Sequence, residues 1–183
     1  MQKGQESAPF ELLIAMIVMS FVIIIGFNAL DRLSIETCKG NLNQNLGEIR
    51  SSIESVVKNK GKDNVSFELP NCFMEEDSRL SIIERDELAY CSAVCGGSIA
   101  QCTVLQFSSP EYTEVKCLHI SSATTFPDSA DTCDPGILEP DDAYEAVDWK
   151  DPKSGILPGQ YTLIRRSNLF SDAPVICAFR RVG

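Results

Sequence analysis

Hydropathy along the chain changes texture three times. Leu12–Phe27 runs 16 residues without a charged side chain, and the nearest carboxylate, Glu11, stands at its amino-terminal lip. A run of this length and polarity predicts a helix suited to a membrane or to a bundle of like helices. From Asp31 the pattern becomes one-sided. Ile35, Cys38, Leu42, Leu46, Ile49, Ile53 and Val56 recur at spacings of 3, 4, 4, 3, 4 and 3. That is one apolar stripe on a helix whose other positions carry Arg32, Glu36, Lys39, Glu48, Arg50, Glu54 and Lys58. Asn59-Lys60-Gly61 supplies a basic residue and a glycine, a helix carboxyl terminus. The pattern therefore predicts a nearly unbroken helix over Pro9–Lys60, with Gly26, Gly40 and Gly47 as places where it could bend. A coiled-coil seam is the other use of such a stripe, but three heptads without regular flanking charge pairs argue against it.

Beyond Gly61 the texture is that of β-strands. Asn64–Leu69 alternates and stops at Pro70; Arg79–Arg85 is followed by an Asp86-Glu87 turn. Cys91-Ser-Ala-Val-Cys95-Gly-Gly reads as a tight, cysteine-held turn. Ile99–Ser108 and Thr113–Ile120 read as strands about a Ser-Ser-Pro-Glu turn. Tyr161–Arg166 and Val175–Val182 read as a closing hairpin. Ser121–Gln160, rich in Asp, Pro and Gly, predicts irregular chain. No internal repeat or low-complexity tract interrupts this order.

Composition adds two constraints. Sixteen Lys and Arg stand against 26 Asp and Glu, a net charge of −10. That surface repels phosphate backbones, so a nucleic-acid partner is not expected, and it suits the solubility of an exposed ectodomain. All eight cysteines (Cys38, Cys72, Cys91, Cys95, Cys102, Cys117, Cys133 and Cys177) follow the apolar run. An even number on one side of a membrane predicts up to four disulfides in an oxidising compartment. Eight cysteines allow about a hundred connectivities, among which sequence does not choose. Seven of them fall after Gly61, so complete pairing requires Cys38 to bridge into that region. Lys3 is the only charge before the apolar segment apart from Glu6 and Glu11, and positive charge favours the cytoplasmic side. The cysteine-rich remainder is thus expected outside.

The amino-terminal arrangement Lys3-Gly4-Gln5-x-Ser7, with an acidic residue ahead of a long aliphatic helix, resembles the class III signal peptide of archaeal type IV pilin-like proteins. The resemblance covers about the first 30 residues. It implies that a prepilin peptidase cuts between Gly4 and Gln5, with Lys3 the cytoplasmic charge and Ser7 the small hydroxyl at the third mature position. The family's acidic residue sits at the fifth mature position, where this chain has Pro9; Glu11 stands at the seventh. In this reading the freed Gln5 amine pairs with Glu11 during assembly. The partners implied are copies of the chain or related pilins, the peptidase and the assembly machinery, and the membrane through residues 10–30. The protein would lie in the cell membrane and then in a surface filament. The implied domains are a leader over residues 1–4, a helix over 5–60 (apolar to 30, amphipathic from 31) and an extracellular head over 61–183. The expected fold is α+β: a long N-terminal membrane or filament-core helix packed on a disulfide-stapled antiparallel β head, the type IV pilin-like ladle. Two other readings of the apolar run stand beside it. One is an uncleaved single-pass anchor for a surface-binding ectodomain. The other is a secretory signal peptide, although Gly26–Asp31 makes a poor small-x-small cleavage site.

No catalytic set or cofactor is expected. Cys91-x3-Cys95-x6-Cys102 departs from zinc-ligand spacing, and no Cys-x-x-Cys redox motif occurs. His119, the single histidine, is read as a packing residue in a strand; a nucleophile pair with Cys117 fails if that cysteine is bridged. No Gly-x-Ser-x-Gly is present. The acidic segment holding Asp131, Asp134, Glu139, Asp141, Asp142, Glu145, Asp148 and Asp151 lacks the EF-hand register and reads as a solvated loop rather than a calcium site. Asn64-Val65-Ser66 is an N-glycosylation sequon just past a helix end.

Overall fold

The computed structural model describes residues 8–73, 77–121, 123–127, 133, 144–150, 155–168 and 171–182. The fold is α+β, with a long N-terminal helix, antiparallel sheets and disulfides. The chain divides into two compact units, Met1–Gly40 and Asn41–Gly183, so the division falls inside the first helix and not at its end.

Helix α1 spans Ala8–Ser55 and passes into a π-helical turn, Val56–Lys60. Gly61 ends it at φ 67°, in the left-handed region where a side chain would clash with its own backbone. In the second unit the amphipathic stripe is used as its spacing predicts: Leu42, Leu46, Ile49, Ile53 and Val56 are all buried. Ile35, at the head of the predicted stripe, is instead exposed, so the buried stripe begins at Leu42.

The strands of the second unit form two sheets. The first has the order β1-β6-β7-β5, from β1 (Lys62–Phe67), β5 (Tyr144–Val147), β6 (Gly159–Asn168) and β7 (Ser171–Arg181). The second has the order β2-β3-β4, from β2 (Arg79–Arg85), β3 (Cys102–Ser108) and β4 (Thr113–Leu118). Every pairing in both sheets is antiparallel. Backbone hydrogen bonds tie β2 to the later chain: the Ile156 N–H donates to Leu80 O at 2.7 Å, and the Ile82 N–H donates to Trp149 O at 2.9 Å. Alternation along β2 and β3 places Leu80, Ile82, Leu105 and Phe107 inside. Trp149 is buried edge-on against Phe126, and Phe73 against Phe107.

Helix α2 (Leu88–Cys95) replaces the tight turn expected at Cys91–Gly97. Its sequence is short and weakly patterned, and two disulfides hold it. Cys91 bridges Cys102 at the start of β3, and Cys95 bridges Cys117 in β4. Gly96 and Gly97, at φ 75° and 76°, turn the chain out of the helix. The short strand β5 lies within the stretch expected to be irregular. Cys133 bridges Cys177 of β7, and around them Phe179, Tyr144, Ala146, Ile164 and Val175 form an apolar cluster. Cys38 and Cys72 are disulfide-bonded as well, and no cysteine is free.

Candidate functional site

The apolar part of α1 is the first candidate surface. It is long and apolar enough to cross a membrane, and none of its most apolar 18-residue window is buried. Phe10, Met16, Met19, Phe21, Ile25, Phe27, Leu30 and Leu33 are each more than half exposed. Contiguous apolar surface of this extent is what a membrane span, a docking face or an amino-terminal signal sequence presents. Glu11 lies in the first turn of α1, where the unpaired amide N–H groups favour a carboxylate. Lys3, Gly4, Gln5 and Ser7 lie outside the described residues, as do most of the acidic residues between 128 and 151. Of that acidic segment Glu145 lies on β5, and Asp148 accepts the Lys150 N–H at 2.9 Å.

A polar node joins the end of α1 to the end of β4. The Arg50 Nε donates to Glu54 Oε1 at 2.9 Å, and its Nη2 donates to His119 Nδ1 at 2.6 Å. The His119 backbone N–H donates to the same Glu54 oxygen at 2.8 Å. Because arginine only donates, His119 Nδ1 acts as acceptor in this arrangement, and the ring is the neutral tautomer with its proton on Nε2. His119 is therefore not the strand packing residue expected: it lies just past β4 with its side chain half exposed. Its neighbour Cys117 is bridged to Cys95 and holds no thiolate for it to activate. Partial burial of Glu54 opposes ionisation, but the His119 backbone N–H and the Arg50 guanidinium together hold its carboxyl below the usual range. Lys58 Nζ adds a second cation at 3.8 Å.

A depressed folded-state pKa means that Glu54 stabilises the fold above the ordinary carboxylate range. That contribution is lost as pH falls through the folded-state value. Glu54→Gln should lower stability by about 1–3 kcal/mol near neutrality, the usual effect of losing hydrogen bonds to a charged group. Thermal unfolding of variant and wild type should converge as the pH is taken into the acid range; a gap that persists undiminished there would assign the loss to packing.

Further contacts secure the same end of α1. Arg165 in β6 donates from Nη1 to Val57 O at 2.8 Å and from its backbone N–H to Gly61 O at 2.7 Å. These satisfy carbonyls that a helix terminus leaves unpaired. Asn45 Nδ2 donates to Glu68 O at 2.6 Å. The i, i+4 pair Arg50 and Glu54 is visible in the sequence, but nothing there points to His119, 65 residues further on.

A cleft of about 570 Å³ is bordered by Glu84, Arg85, Gln101, His119 and Thr124 and by the bridged Cys95 and Cys117. Among the described residues no group of three His, Cys, Asp or Glu side chains is placed to hold a metal ion. Asn64 of the sequon is exposed on the edge strand β1. No family model, curated protein or solved structure matches this chain.

Proposed function

We propose that the chain is a non-catalytic structural subunit, major or minor, of an archaeal type IV pilin-like surface filament. The observation that carries this reading is the contrast along α1. From Leu42 onward its apolar stripe is buried within its own unit, whereas the large apolar side chains from Phe10 to Leu33 are exposed. The resemblance of Lys3-Gly4-Gln5-x-Ser7 to a class III leader supplies the direction. In this mechanism cleavage after Gly4 removes Lys3 and frees the Gln5 amine. The amine pairs with Glu11, on its own helix or a neighbour's, and removes an unpaired negative charge from an apolar bundle. Apolar faces of successive copies then pack together, moving the chain from the cell membrane into the filament. The net charge of −10 suits heads exposed to solvent.

Amino-terminal sequencing of the membrane-extracted protein tests the first step. The expected first residue is Gln5. Gly4→Arg should leave the leader attached and filaments absent; Glu11→Leu should be cut normally and yield several-fold fewer filaments. A mature chain that begins at Met1 and stays solitary in the bilayer would replace this reading with a single-pass, surface-binding ectodomain, for which α1 has the length and composition.

A further inference from the structure

The sequon in β1 presents two exposed side chains on one face. Asn64 and Ser66 are two residues apart in a strand, so their side chains leave the same side, and both are exposed. Thr162 Oγ1 donates to Asn64 Oδ1 at 2.9 Å. This bond occupies the amide oxygen and orients the group, while Nδ2 has no hydrogen-bond partner among the described residues. β1 lies at the edge of its sheet, with β6 its strand partner among the described residues, and the Asn64 side chain is exposed there.

Beside Asn64 lies a shallow depression of about 300 Å³. The strand register explains its lining. Ser66 stands opposite Gln160, and Tyr144 opposite Arg181, which brings an aromatic ring, an amide and a guanidinium around one hollow. An aromatic face accepts the C–H groups of a pyranose, and the flanking amide and guanidinium offer hydrogen bonds to its hydroxyls.

We propose that Asn64 is N-glycosylated and that the first saccharide ring rests in this depression against Tyr144, Gln160 and Arg181. The donor is a lipid-linked saccharide phosphate. A bond forms between Nδ2 and the anomeric carbon while the anomeric C–O bond breaks. The lipid phosphate leaves with the electron pair, and one amide proton passes to a base of the transferase. The modified amide keeps its oxygen, so the Thr162 hydrogen bond survives. This goes beyond the filament reading and requires only that the second unit be exported, which an anchored ectodomain would share.

Protein isolated from the cell that makes it, reduced and digested with trypsin, yields a peptide, Asp63–Arg79, in which this is the only sequon. Its mass should be raised by whole saccharide units located on Asn64. Asn64→Gln and Ser66→Ala should each abolish the increment, and Ser66→Thr should retain it. An unmodified Asn64 throughout the wild-type protein overturns the proposal. The seat is tested separately with Gln160→Ala/Arg181→Ala, two exposed positions. Occupancy should be unchanged, and trimming by a glycosidase matched to the sugar should be several-fold faster; an unaltered trimming rate overturns the seat.

Discussion

The double substitution Ile17→Asp/Ile24→Asp is expected to release the chain from the membrane fraction, whereas either single substitution should leave it partly retained. Leu, Ile, Phe and Val fill twelve of the eighteen positions from Phe10 to Phe27. At about 0.3–0.6 kcal/mol each on insertion scales they supply roughly 4–7 kcal/mol. One central aspartate opposes this with about 2.5–3.5 kcal/mol and does not overcome it. Two aspartates, with two isoleucines lost, roughly cancel the whole driving force. Both positions are about half exposed, so the substitutions leave the second unit intact. Partition between membrane pellet and supernatant after an alkaline wash reads the result. Full retention of the double variant would mean that something other than this apolar surface holds the protein.

Removal of the Cys133–Cys177 bridge, as Cys133→Ala/Cys177→Ala, should destabilise the second unit more than removal of either bridge to α2. Its partners are 44 residues apart, against 11 and 22 for the others. Loop-closure entropy grows with that separation and gives about 4 kcal/mol for the longest, against about 3 kcal/mol for the shorter two. Burial adds to the difference, because Cys133 and Cys177 sit with Phe179 inside an apolar cluster. Denaturant unfolding of the three double variants should place this one at the lowest midpoint; the same midpoint for all three would mean that loop length does not govern the ranking.

What the sequence reveals depends on the range of the interactions involved. Strand Arg79–Arg85 was legible to the residue, because its run of Leu and Ile is bounded by polar turn residues on both sides. The end of α1 was legible from Lys60-Gly61, a local signal. Helix α2 was not: eight residues with little periodicity look like a turn until two disulfides, unknowable from spacing, pin them to β3 and β4. Strand β5 escaped because Tyr-Glu-Ala-Val is short and finds its partner in β7, more than thirty residues later. The surroundings of His119 were hidden for the same reason. Its ligands, Arg50 and Glu54, come from a helix that the sequence showed only as an amphipathic face. The apolar surface of α1, by contrast, was readable in full from composition.

The place of β1 at the edge of its sheet has a consequence for crowding. An edge strand is a template for a foreign strand, and close packing of many copies multiplies such encounters. Lys62 and Asp63 begin this edge, and Asn64 follows. Charged and polar groups there, with the Asp63 carboxylate already accepting the Asn64 N–H at 3.1 Å, deter neighbouring copies from zippering sideways.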